Sequence, residues 1–130
     1  MAAHFRALKT ETKMQYLLML YSTEGGFSEL TKSEQDQAMA AYGAYMEALS
    51  KSGSLVASNR LQPSSTATTV RVQNGKSQVL DGPYVDPKEQ IGGYFLIDVP
   101  DLDAAISWAA RCPGASHGSV EVRPVWNMQG

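Results

Sequence analysis

The run "MQYLLMLYS", Met14 to Ser22, is apolar on both faces an extended chain would present: Leu17 and Met19 on one, Tyr16, Leu18 and Leu20 on the other. Successive side chains of a strand point to opposite sides. A strand apolar on both must therefore be covered on both. Everything downstream is read for what supplies those two covers.

"EGGF" follows as a loop, and "TKSE", Thr31 to Glu34, has capping-box spacing, with Thr31 as N-cap and Glu34 reaching back to its amide. The helix it opens runs to about Ser52, with Gly53 as a left-handed cap. Ala38, Tyr42, Tyr45 and Leu49, flanked by Met39 and Met46, form its apolar stripe, which reads as core packing rather than a cofactor groove. "SLVASNRL" (Ser54–Leu61) and "TATTVRVQ" (Thr66–Gln73) read as strands. Asn74-Gly75 turns the second of them into "KSQVL", a short partner ending at Asp81.

"GGYFLIDV" (Gly92–Val99) is the next strand, stopped by Pro100. Asp101 caps a second helix whose expected buried stripe is Leu102, Ala105, Ile106 and Ala109, ended by Pro113-Gly114. "SVEVRPV" closes the fold with Val120 and Val122 inward and Glu121 and Arg123 outward. The order is β–α–β, an inserted hairpin, then β–α–β. It predicts an α+β, ferredoxin-like sandwich: an antiparallel sheet with two helices on one face. The other sheet face is bare in that arrangement, and the expected cover is a second copy, a homodimer closing sheet against sheet.

Composition narrows the function classes. The 130 residues predict one domain, with residues 1–13 a polar, flexible tail, 14–126 the folded unit and 127–130 a short end. Met14 would itself make a sensible start. A net charge of −2 with scattered lysines and arginines gives no basic patch for nucleic acid. The longest apolar stretch is far short of the ~18–20 residues of a membrane span. One cysteine and two histidines leave no disulfide framework or metal-ligand spacing, consistent with a reducing cytoplasm and no cofactor. Phosphate-loop, dinucleotide, nucleophile-elbow and zinc-protease motifs are all missing.

"DGPY" (Asp81–Tyr84), then "KEQIGGYFLIDV" (Lys88–Val99), "DLDAAISWAARCPGA" (Asp101–Ala115) and "VEVRPV" (Val120–Val125) together resemble the DGPF group of YCII-related proteins, with Tyr84 in the Phe place. The resemblance spans about Met14 to Val125 and implies the dimeric α/β-barrel variant of the ferredoxin-like fold. Some YCII-related proteins resemble lyases with a His–Asp dyad near the first helix. No histidine lies between Ser22 and Ser52 here, so that dyad does not carry over. The group's association with extracytoplasmic-function sigma factors implies an alternative role as a regulatory or protein-interaction module.

Candidate chemistry concentrates on "LDGPYVDPKEQIGGYF", Leu80 to Phe95. Asp81 either fixes the Gly82-Pro83 turn or stands as a carboxylate at a pocket mouth, and the two roles are compatible. Lys88 and Glu89 read as a solvated pair or as working side chains, Glu89 beside Asp81 in an acid/base role and Lys88 holding an anion, on an Asp81–Ile91 connection longer than a hairpin needs. Gly92-Gly93 implies either a bulge or a close backbone or ligand approach. Arg60 is the anion-anchor candidate. His117 is the histidine available for proton transfer or, in a haem site, for axial ligation. Tyr84 can hydrogen-bond a ligand or pack its ring, Cys112 reads as helix-end packing, and Trp108 and Trp126 read as core or interface anchors. The expected function is a cofactor-independent, enzyme-like homodimer that binds a small molecule beside the Asp81–Ile91 loop.

Overall fold

The computed structural model describes residues 13–23, 25–84 and 88–127. The sequence expectations for the tail before Lys13, for Asp86 and for the last three residues fall outside that set. The elements are β1 (Met14–Thr23), α1 (Lys32–Lys51), β2 (Leu55–Arg60), β3 (Thr68–Gln73), β4 (Lys76–Asp81), β5 (Glu89–Val99), α2 (Leu102–Arg111) and β6 (Ser119–Pro124). The larger sheet has the order β2-β5-β1-β6 with every neighbouring pair antiparallel, which is the ferredoxin-like arrangement. Hairpin β3–β4 stands apart as a two-stranded sheet.

β1 occupies a central position because its inner residues can be buried. Tyr16 and Leu18 meet Ile97, Phe95 and Val99 of β5 in the core, and Val120 and Val122 of β6 pack beside them. Both helices close over this face through Tyr45, Leu49, Ala105, Ala109 and Cys112. The opposite face of β1, Leu17, Met19 and Tyr21, is half-buried, alongside Tyr94 and Leu96 of β5.

Local chemistry fixes the ends. Thr31 accepts from the Glu34 amide at 3.1 Å and the Glu34 carboxylate accepts from the Thr31 amide at 2.9 Å, so the capping box is complete. Gly53 takes φ +77° after α1, and Asn74 and Gly75 take +52° and +76° in the β3–β4 turn, the pair of left-handed residues that a tight hairpin requires. Asp101 caps α2 by accepting from the Ala104 amide at 2.9 Å.

Three sequence expectations are corrected. β5 begins at Glu89 rather than Gly92, because Glu89, Gln90 and Ile91 pair with Thr23, Ser22 and Tyr21 at the end of β1. The α2 stripe is rotated: Leu102 and Ile106 are exposed, and Ala105, Ala109 and Cys112 face the core, flanked by Ala104 and Trp108. Small residues turned inward let this helix lie close to the sheet, where the larger pair would hold it off. As expected, α2 stops just before Pro113, at Arg111, and Pro113–Ser116 form a short 3-10 turn. Trp126 is 86% exposed and is no part of the core, whereas Trp108 packs against it.

The two readings of Gly92-Gly93 both hold. Gly92 is the extra residue of a bulge, since the ladder passes from Leu20↔Gly93 to Tyr21↔Ile91. At Gly93 a Cβ would stand 3.0 Å from the Asn59 carbonyl oxygen, so β2 approaches closely there. The tightest approach is at Gly118, where a Cβ would fall 2.0 Å from the Tyr21 carbonyl oxygen. Gly118→Ala is expected to destabilise the chain by about 2 kcal/mol or more, as backbone must shift to relieve the overlap. Gly43→Ala, in an α1 position open to solvent space, is expected to stabilise by about 0.5–1 kcal/mol through helix propensity. Urea unfolding of both variants checks the contrast, and equal effects would contradict it.

Candidate functional site

Between the end of β2 in the larger sheet and the end of β4 in the separate hairpin, the chain builds a cleft. Pro63 opens a 3-10 turn over Ser64–Thr66, closed by the Thr66 hydroxyl donating to the Pro63 carbonyl at 2.7 Å. The turn sets the Ser64 and Ser65 side of a cleft of about 520 Å³, whose other walls are Gly25, Pro63, Asp81, Gly82 and Pro83. The sequence reading passed over Pro63-Ser64-Ser65 as a connection. The local signal was present, a proline followed by hydroxyl residues at turn spacing, but only the tertiary fold sets it opposite Asp81.

Asp81 ends β4, paired with Thr68. The bend after it is held by its neighbours' groups. Gly82 adopts φ +102°, its N–H donates to the Ala67 carbonyl at 2.7 Å, and its carbonyl accepts from the Thr69 hydroxyl at 2.8 Å. Among the described residues no hydrogen bond or ion pair engages the Asp81 carboxylate, which is exposed and borders the cleft. The bend is therefore set by glycine conformation and a threonine hydroxyl, and the carboxylate is left to the cleft.

Arg60 lies next door. With Leu61, Gln62 and Pro63 it lines a smaller hollow of about 270 Å³, and Pro63 is common to both cavities. The Arg60 guanidinium stacks 4.7 Å from the Phe27 ring centre, so its plane is oriented by an aromatic face while no carboxylate among the described residues pairs with it. The other sequence candidates are placed elsewhere. Lys88 and Glu89 are exposed, form no ion pair with each other, and line neither cavity. Tyr84 is exposed, with the Arg71 guanidinium 5.6 Å from its ring centre. His117 is exposed after the Pro113–Ser116 turn, its backbone N–H donating to the Gly114 carbonyl. Glu121 and Arg123 pair with each other on the open sheet face.

Behind the site, under α1, is a compact aromatic and thiol cluster. Tyr45 donates to the Trp108 carbonyl at 2.7 Å and meets the Phe95 and Trp108 rings edge-on at 5.1 and 6.0 Å. Burial, then the adjacent Cys112, pushes the Tyr42 hydroxyl up to about 12, and burial raises Tyr45 and the Cys112 thiol as well. Cys112 is buried in the core cluster and serves there as a packing group. Among the described residues no cluster of histidine, cysteine and carboxylate side chains is arranged to hold a metal ion, and no helix is long and apolar enough to cross a membrane.

Comparison with known proteins shows the family of the chain. The model of the YCII-related domain matches residues 14–129. An uncharacterised protein of Rhizobium meliloti (strain 1021) is 36% identical over 114 residues, covering 86% of this chain and 92% of the relative.

The raised tyrosine has a consequence for alkaline stability. Its ordinary value is 10 and its folded value about 12, so the neutral form is favoured by folding. The stability this contributes is complete below pH 10, and is lost as pH rises from there through about 12. Tyr42→Phe is expected to fall less steeply in urea midpoint across that interval than the parent chain. Parallel curves would contradict the assignment.

Proposed function

Because the chain belongs to the YCII-related family, we propose that it is a small-molecule-binding, enzyme-like homodimer whose ligand sits in the Asp81 cleft. The observation that carries the reading is Asp81 itself, a carboxylate at a cleft wall that the surrounding turn does not use. An exposed acid at a strand end, beside a turn held by the Gly82 and Thr69 hydrogen bonds, is positioned to accept a hydrogen bond or a proton from a bound molecule. Arg60, oriented on Phe27 in the adjoining hollow, supports an anionic group at the far side of the same ligand, since its planar fork suits a carboxylate or phosphate. The ligand class is thus a small polar acid that also carries a hydroxyl or amine donor. Binding, orientation and a proton acceptor are what these side chains supply, and they call for no cofactor.

The homodimer part of the reading rests on the open face of the larger sheet. Leu17, Met19, Tyr94 and Leu96 lie there on adjacent central strands, with Ala57 of β2 beside Leu96. An apolar sheet face of this kind is a surface that a second sheet covers.

Thermal-shift measurements with a panel of hydroxy and amino acids are the test. A ligand raises the midpoint of the parent chain, by the stabilisation of ~2.7 kcal/mol that a hundredfold excess over Kd gives. Asp81→Asn and Arg60→Gln each abolish most of that rise, while Glu47→Gln, on the solvent side of α1, keeps it. A rise that survives in Asp81→Asn removes the cleft from the account.

A further inference from the structure

The β3–β4 hairpin carries the second uncovered apolar surface of the chain. Its register places Val70 opposite Val79, with Val72–Ser77 and Thr68–Asp81 flanking them on the same side. The reverse side presents Arg71, Gln73, Lys76 and Gln78, a cationic, mainly polar surface that carries Thr69 and the exposed Leu80 at its Asp81 end. The hairpin is thus amphipathic, yet Val70, Val72 and Val79 are 58%, 65% and 64% exposed, and no element of the larger sheet and neither helix packs substantially on either strand. A lone two-stranded hairpin is marginal in water and needs a cover for its apolar side. Nothing in the described part of the chain supplies one.

We infer that the Val70, Val72 and Val79 face of the hairpin seats on a second copy of this chain, extending the sheet-to-sheet dimer and bringing the Asp81 cleft to the subunit boundary. This rests on the dimer proposed above. Area decides for a second copy. Four strands over the six-residue ladder shared by β1 and β6 make a flat patch of roughly 400 Å². Standard interfaces take about 600–1,000 Å² from each partner. The open face alone falls short of that range, and the hairpin's two strands over six pairs add roughly 200 Å², enough to reach its lower end. A two-fold arrangement uses each arm and each sheet once, so the assembly closes at two copies.

The hairpin's place in the chain also ties it to the cleft. Asp81 is on the same side as Val70 and Val79, so a partner covering that side reaches the cleft mouth. The polar reverse side, with Arg71 and Lys76, discourages the exposed strands from pairing with other edges.

The test is sedimentation equilibrium of the full chain beside two variants, Leu96→Lys on the open sheet face and Val70→Thr/Val72→Thr/Val79→Thr on the hairpin, with circular dichroism to confirm folding. The expected result is a parent dimer, a monomeric Leu96→Lys chain, and a hairpin variant whose dimer Kd is weakened roughly tenfold or more. Hydrogen exchange on the parent chain needs no variant: β3 and β4 amides slow as concentration rises through the dimer Kd. A monomeric parent chain fails the dimer reading and the arm with it. A parent dimer that Leu96→Lys dissociates, but whose hairpin variant keeps its Kd and whose hairpin exchange is independent of concentration, overturns the arm alone. That outcome would assign the hairpin face to a different protein.

Discussion

β1 is hydrogen-bonded along both edges, to β5 and to β6, and this double ladder is the constraint on which the rest of the structure depends. It joins the two βαβ halves, because β5 belongs with α2 and β6 while β1 belongs with α1 and β2. It also fixes register: a slip of one residue would carry Tyr16 and Leu18 out of the core and expose them on the far side. The bulge at Gly92 lets β5 keep pairing past Leu20 while its direction changes, and so it sets where Glu89 and the chain before it must run.

The candidate site is one step removed from this frame. Asp81 and Arg60 are the last residues of β4 and β2, so their backbones are held by strand pairing with Thr68 and Gly93. The Pro63–Thr66 turn closes the gap between the two strands. Strand pairing fixes each of the two backbones locally, and Pro63 lines both hollows between them. The buried Tyr45–Phe95–Trp108 cluster ties α1 and α2 to β5.

Much of this is legible in the residues. The two-faced apolarity of Met14–Ser22, the Thr31/Glu34 box, Asn74-Gly75 and the Asp101 cap are local signals, and each forms the element it announces. The start of β5 was not legible, because Glu89–Ile91 become strand only by finding the end of β1 as partner. The inward face of α2 was misjudged because periodicity favours large apolar residues, while a helix lying close on a sheet buries its alanines. The cleft was half legible. Asp81 stood out by its charge, whereas Ser64 and Ser65 acquire meaning only from being folded opposite it.

Whether the open sheet face is an internal surface of the working protein is the central claim, and sedimentation velocity of the unmodified chain at micromolar concentration tests it most directly. The account predicts a single boundary at twice the 14.1 kDa chain mass. A single sharp boundary at the mass of one chain would contradict it, leaving Leu17, Met19 and Leu96 in water with nothing to cover them.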